Sequence, residues 1–389
     1  MNVFILGAGS TGGLLAQLLR RRGFTVWCGD RDPERARPFV GGQIDCRPAN
    51  ARSLRSVVRA ARGCDLLVNT APAVFNETAI RAALYLRVHY LDMASHLERN
   101  PFKSEQLRFG DDFARRKRLA LINAGVAPGI TNLLVAACAD TLDEVDQVRI
   151  RLFEDTESKT PISTWSAADA HDEAISKPRI YRAGQFRFAR RFSAAEWFPF
   201  PKPIGESRVV LAAQDEVATL PRFIPMNDLD VKIGGNEIDR LRRWYRQGKL
   251  RPSADRVNHR FPDAVPPATV SALMRSGKLQ NARFAVCVSV TGSKGRKRFE
   301  RRRCCKFSSL SQLRRKGKSG TPIAFAAAQS AAVFIENFPV HLAGVYPPEA
   351  LPTKVRRSIV RAMSRRGLRF QKKTIKLGTA RKETEKSHV

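Results

Sequence analysis

The amino-acid sequence predicts an α/β protein: a doubly wound parallel sheet with an inserted, mixed α/β second domain. Three observations predict it. An apolar run at 3–6 leads straight into the turn Gly7-Ala8-Gly9-Ser10-Thr11-Gly12-Gly13. Strand-like apolar runs then alternate with helical patterns as far as about residue 139. After that point the alternation stops and strand-like runs group together, as in a mixed domain.

In chain order, strand 3–6 and its glycine turn are followed by Leu14, Leu15, Leu18 and Leu19 at helical spacing, closed by Gly23. A second apolar run, 24–28, ends in Gly29-Asp30. Strand, glycine turn, helix, strand and acid in this order form the Rossmann dinucleotide fingerprint. Gly7 permits the tight turn, Gly9 lets a pyrophosphate approach the backbone, and Gly12 lets helix and strand pack closely. Ser10 and Thr11 open the helix, whose unpaired N–H groups and dipole favour an anion. Asp30 stands where a carboxylate accepts from the adenosine ribose, so NAD is expected over NADP. The neighbouring Arg31 would instead suit a 2′-phosphate, and the cofactor set is therefore NAD or NADP with NAD preferred.

Asp32-Pro33-Glu34 reads as a helix start, with an N-cap acid and proline at the first helical position. A short third strand at 44–46 adds Asp45 and Cys46 to the expected cofactor set, Cys46 through its backbone. Helix 53–61 precedes strand 66–69, which runs into Asn69-Thr70-Ala71-Pro72 at the carboxyl edge where a cofactor crevice forms. Helix 76–85 leads to strand 88–91, closed by Asp92. Helix 105–117 and strand 119–122 follow, then the loop Asn123-Ala124-Gly125-Val126-Ala127-Pro128-Gly129-Ile130-Thr131-Asn132, which opens helix 133–139.

The second half begins with an alternating strand at 145–153, a helix at 165–175, an aromatic-rich stretch at 192–203 and an amphipathic helix at 236–247. A hairpin spans 285–307, an alanine-rich helix 321–335, and a basic tail starts at 353. The expected division is 1–130 for the dinucleotide domain, 131–320 for the second domain, 321–352 returning to the first, and 353–389 for the tail.

Composition narrows the class. At 389 residues and 43% hydrophobic content, two globular domains are expected. No apolar run approaches the ~18 residues that span a bilayer, so no membrane partner is expected. The first strand follows Met1 too closely for a signal peptide, and the cytoplasm is the expected location. The seven cysteines contain no Cys-x-x-Cys pair, which predicts free buried thiols; the six histidines lack metal-ligand spacing. No metal is expected. The net charge of +33 is concentrated: residues 294–318 hold 12 basic residues and one acid, and 353–389 hold 13 and two. Three readings remain open for these segments: a solvated face with a disordered tail, sequence-independent binding to nucleic acid, or capture of an anionic substrate or acidic protein.

The motifs in their order resemble the saccharopine dehydrogenase (saccharopine reductase-like) family. The residues carrying the resemblance are Gly7-Ala8-Gly9-Ser10-Thr11-Gly12, Asp30-Arg31, Asn69-Thr70-Ala71-Pro72, His89-Tyr90-Leu91-Asp92, the loop 125–132, and Gly344-Val345-Tyr346-Pro347-Pro348-Glu349. The resemblance implies an inserted domain for substrate and dimer contacts, and a last segment packed back on the first domain. It also implies hydride transfer at a C–N bond of an amino-acid-like small molecule, with a homodimer among the expected partners. Two features depart from the family pattern: Asn132 stands where some saccharopine-forming relatives carry histidine, and the basic segments are additional.

Asp92 is the expected catalytic carboxylate, stabilising iminium-like charge on the substrate, against its alternative as a strand-end cap. Asn132 is expected to orient a substrate polar group, or else to cap its helix. His96 reads as a surface histidine or a proton shuttle. Trp165 and the cluster 169–173 read as a cleft wall or a solvated helix face. From a different class, the alternative is a non-catalytic nucleotide-sensing or nucleic-acid-associated protein.

Overall fold

The computed structural model describes residues 1–160, 162, 167–249 and 264–379. Its first sheet is built as the alternation dictates, from β1 (Asn2–Leu6), α1 (Ser10–Arg20), β2 (Thr25–Asp30), α2 (Pro33–Val40), β3 (Cys46–Pro48) and α3 (Leu54–Ala61). The second winding holds β4 (Leu66–Asn69), α4 (Asn76–Leu86), β5 (His89–Asp92), α5 (Gly110–Arg115), β6 (Leu119–Leu121) and α6 (Ile130–Ala139). Asp32 caps α2 by accepting from the Arg35 N–H, and Ser53 caps α3 in the same way from Ser56. Apolar side chains fill both faces of the strands: Val3, Ile5 and Val68 pack on one side, Phe4, Leu67 and Tyr90 on the other.

The second unit runs through β7 (Glu144–Ser158), α7 (Ala167–Ile175), β8 (Arg179–Arg182), β9 (Gln185–Phe188), β10 (Glu196–Phe200), β11 (Gly205–Leu211), α8 (Leu220–Phe223) and β12 (Asp228–Gly234). It continues with α9 (Asn236–Arg246), α10 (Pro267–Arg275), the hairpin β13 (Leu279–Lys294) and β14 (Lys297–Lys306), and α11 (Leu310–Arg315). The described residues end with α12 (Pro322–Glu336), β15 (Gly344–Tyr346), α13 (Thr353–Arg365) and β16 (Phe370–Thr379).

The first sheet has the order β15-β6-β5-β4-β1-β2-β3, with every neighbour parallel. The chain therefore reverses direction across the sheet between β1 and β4, and a crevice opens there at the carboxyl ends. The second sheet follows β10-β11-β12-β7-β13-β14-β16 and mixes parallel with antiparallel pairs. One of its faces, with Val148, Ile150, Leu152, Val231, Val286 and Val288, joins α6 and α12 in a continuous core. The opposite face carries a small cluster around Phe153, Phe198 and Phe200 beside a charged network. Arg151, 1% exposed there, is paired with Glu196 and Asp230. Among the described residues no helix is long and apolar enough to cross a membrane.

Four expectations need correction. The third strand sits at Cys46–Pro48, not at 44–46, because Cys46 is the residue that pairs with Cys28 while Ile44 turns into the core. Helix α6 begins at Ile130, since Gly129 at φ 132° already starts the turn. Cys287 and Cys304 are directly opposed on β13 and β14 and form a disulfide, so not all the thiols are free. The tail from 353 is not a solvated appendage: α13 buries Ile359 and Met363, Leu368 is buried beyond it, and β16 pairs with β14 along its length. Its apolar residues are few, but they fall on one helical face opposite the cations.

Candidate active site

The crevice begins at the glycine turn. Gly7 adopts φ 91°, and a Cβ there would lie 2.6 Å from the Ala71 nitrogen. A Cβ on Gly12 would lie 2.0 Å from the Gly7 carbonyl oxygen, so strand and helix touch as the fingerprint requires. At Gly9, by contrast, a Cβ would meet nothing within 4 Å. Gly9 is the N-cap of α1, so Ser10 and Thr11 present the helix N-terminus beside open space. The residues thus fit a pyrophosphate: a cradle of backbone N–H groups with room directly above it.

Asp30 ends β2 and is held by two N–H donors, Ala8 at 2.8 Å on Oδ2 and Asp32 at 3.1 Å on Oδ1. Each oxygen keeps a further lone pair for a ribose hydroxyl. Arg31 is exposed beside it. Asp45 is turned to Arg47, 2.7 Å away, and Cys46 is half-buried at the edge of the sheet. The Asn69-Thr70-Ala71-Pro72 turn closes over the glycines. The Thr70 and Ala71 N–H groups both donate to the Leu6 carbonyl, and the Thr70 hydroxyl donates to Leu6 and Gly7. Asn69 accepts from the Ala71 N–H at 3.1 Å and donates to Asn76 at 2.7 Å, so its side chain shapes the turn from within.

At the ends of β5 and β6 both expected catalytic residues are buried and hydrogen-bonded within the protein. Asp92 is 1% exposed. Its Oδ1 accepts from the Asn123 N–H at 2.8 Å, and its Oδ2 from Gln106 Nε2 at 3.0 Å. The carboxylate therefore faces protein donors and ties the β5 and β6 ends together. Burial without a cationic neighbour pushes its pKa up to about 7, with Asp215 adding to the rise. Asn132 is fully buried: its Oδ1 accepts from the Gly129 N–H at 2.9 Å and its Nδ2 reaches Thr219 at 3.4 Å. It caps α6.

These two residues border a seam between the units. The Ser95 N–H donates to Asp215 at 3.0 Å, and the Thr131 hydroxyl donates to Glu216 at 2.8 Å. Ser95 also bonds Ser104 and Asn123, and Ser104 bonds Gln106, so the network reaches back to Asp92. Glu349, from the segment after β15, lies against Thr219 and Asn132. Burial raises Glu216 to about 7 and Glu349 to about 6, and it raises Glu173 well above its ordinary value. Glu173 feels the charges of Glu154, Asp215 and Glu216. The seam is acidic, in a chain that is otherwise strongly basic.

Sequence reading brought the 69–72 turn, Asp92 and the 123–132 loop to one edge, and they do meet there. It missed Gln106, Asp215, Glu216 and Thr219, and gave Glu349 no site role beyond its place in the 344–349 motif. The one signal for these was Gln214-Asp215-Glu216, a polar triplet set between the apolar runs 209–213 and 217–218. His96 is half-buried and lies 3.2 Å from Glu98. Trp165 and the Asp169 side chain lie outside the described residues. Among the described residues no group of His, Cys, Asp or Glu is placed to hold a metal ion.

Residues 3–126 match the saccharopine dehydrogenase NADP binding domain. The fold is shared with apo histidine-tagged saccharopine dehydrogenase (L-Glu forming) from Saccharomyces cerevisiae, at TM-score 0.67 and 10% identity over 96% of this chain and 99% of that one. A meso-dapdh mutant with DAP from Clostridium tetani overlaps more loosely, at TM-score 0.44 and 10% identity over 91% and 95% of the two chains. A probable dehydrogenase from Thermotoga maritima does so at 0.41 and 9% over 97% and 98%. Residues 3–126 are thus similar to that family's dinucleotide-binding domain, and the chain shares the fold of saccharopine dehydrogenase.

Proposed function

We propose that the protein is an oxidoreductase that uses NAD(P), with NAD preferred, on a C–N bond of an amino-acid-like substrate. One observation carries the reading: the open pyrophosphate cradle at Gly9 lies at the carboxyl edge of the parallel sheet, and the acidic seam of Asp215, Glu216 and Glu173 is tied to the segments following β5 and β6 at the same edge, through Ser95 and Thr131. The first end suits a dinucleotide and the second a positively charged nitrogen.

When bound, the nicotinamide supplies hydride transfer. The chain's own part is to bind and orient. The α1 N-terminus and the Gly7–Gly9 turn would hold the pyrophosphate, and Asp30 the ribose hydroxyls. A carboxylate at Asp30 repels a 2′-phosphate, which supports NAD even though the matching domain is named for NADP. Asp92 and Asn132 act as positioning residues: they fix the β5–β6 edge and the α6 N-terminus that wall the nicotinamide end. The seam acids favour an ammonium or an iminium-like centre over a neutral one, because an arriving cation relieves their mutual repulsion.

The test is a cofactor-reduction screen against amino acids and amino-dicarboxylates, run with NAD and with NADP. Turnover on at least one amine substrate, blocked by Glu216→Gln, supports the proposal. Tight cofactor binding with no turnover on any amine would favour a nucleotide-sensing role.

A further inference from the structure

The two basic segments that lie far apart in the sequence are neighbours in space. Strand β16 pairs antiparallel with β14, setting Arg303 opposite Lys372, Arg301 opposite Thr374 and Phe299 opposite Lys376. Directly opposed residues share a face of the sheet. That face is the one toward α6: the Arg303 guanidinium donates to the Ala137 carbonyl at 2.9 Å, and the charges of Arg303, Arg301 and Lys372 all reach the Cys138 thiol. Helix α13 packs on α6 as well, tied by Arg356 to Asp140 at 2.6 Å, and β16 starts five residues after α13 ends. Residues 353–379 contain ten lysines and arginines and no acid.

The cations are also arranged. On α13, Ile359 and Met363 face the core, while Lys354, Arg357, Arg361 and Arg365 form one exposed stripe on the other side. On β16, Lys372 and Lys376 stand on one side of the strand, four residues and about 13 Å apart. None of Arg357, Arg361, Arg365, Lys372 and Lys376 makes an ion pair among the described residues, whereas Arg298, Arg302, Arg356 and Arg366 all do. Lysines on an edge strand can be explained by the need to block pairing with another chain. That explanation does not reach the α13 stripe, which lies on no edge.

We infer that β14, β16 and the exposed stripe of α13 form a surface that binds the phosphate backbone of nucleic acid. Arginine forks match phosphate oxygens, and a row of unpaired cations gains by releasing counterions from a polyanion. The surface has no aromatic platform for stacking bases: Phe299 is half-buried under Arg301. Recognition is therefore of the backbone, without sequence preference. An anionic membrane fits less well, because a stable hold on lipid needs an apolar face beside the charge, and Leu377 is the sole large apolar residue exposed on these elements.

The experiment measures binding of the full chain to a labelled DNA duplex from 50 to 200 mM salt. It compares R357Q/R361Q/R365Q and K372Q/K376Q with R55Q/R59Q/R62Q, which removes three exposed charges from α3 and its C-cap. The expected result is salt-sensitive binding by the native protein. In the α13 and β16 variants affinity should fall about tenfold or more, and the logarithmic salt slope should shrink by ~0.9 for each phosphate no longer neutralised. The α3 variant should bind as the native protein does. Equal losses in all three variants would reduce the effect to net charge and overturn the inference. So would the absence of salt-dependent binding, or tighter binding to phosphatidylserine vesicles than to the duplex.

Discussion

Replacing Asp92 with asparagine should make the protein's stability less dependent on pH, in a direction set by burial. The Asp92 carboxyl moves from an ordinary value of 3.8 to about 7 because it is desolvated and meets no cation. A group that holds its proton more tightly when folded adds stability below its unfolded pKa and loses it as pH rises to the folded one. Roughly three pKa units at 1.36 kcal/mol each give about 4 kcal/mol, lost between about pH 4 and pH 7. Asp92→Asn keeps the shape and the acceptor for the Asn123 N–H but cannot titrate. The advantage of the native protein over the variant should therefore shrink by roughly 1.4 kcal/mol per pH unit across that window. His89 and His171 are held below their ordinary values by burial and act in the opposite sense, but both proteins contain them, so they cancel in the difference. Urea denaturation of the two proteins at pH 5, 6, 7 and 8 measures it. A stability difference that stays constant with pH would refute the buried, unpaired carboxyl.

Further outcomes are expected elsewhere. Truncation after Leu351 should lower the melting temperature sharply and cause aggregation: it removes the buried Ile359, Met363 and Leu368, each worth about 1.5–3 kcal/mol, and bares the β14 edge. Thermal unfolding and light scattering check this, and an unchanged melting temperature would mean that the tail is not packed. Asp230→Ala leaves the buried Arg151 with one carboxylate fewer and should cost about 3 kcal/mol, read from the urea midpoint. Gly7→Ala forces a side chain into φ 91° and against Ala71, and should destabilise by a few kcal/mol before any ligand is considered.

The first sheet was legible because its signals are local. Val3–Leu6 with Gly7, Gly9 and Gly12 specifies a strand, a turn and a helix within a few residues of one another, and Asp30 follows at a fixed distance. The seam was not legible, because it joins residues such as Thr131 and Glu216, or Ser95 and Asp215, that only the tertiary fold brings together. Asp92 shows the difference. Its place at the end of β5 could be read, but the direction of its carboxylate depended on Gln106 and Asn123, whose role no local pattern announces. The tail misled for a related reason. A cation-rich stretch with scattered apolar residues resembles a solvated segment until the edge of β14 gives it a partner. Cys287 and Cys304 fall into register through the long hairpin, a pairing that their spacing in the sequence does not signal.

The central claim, a dinucleotide held at the α1 N-terminus, is tested most directly by titrating NADH and NADPH into the native protein and into Gly9→Asp. Gly9 has a negative φ of −77° and open space where a Cβ would go, and aspartate is a good N-cap, so the variant should fold with an unchanged or slightly higher melting temperature. Its carboxylate would occupy the pyrophosphate cradle and repel the phosphates. The account predicts saturable binding to the native protein, tighter for NADH, and weakening by about a hundredfold or more in the variant, a loss of roughly 2.7 kcal/mol. Equal cofactor affinity in a folded Gly9→Asp protein would contradict it.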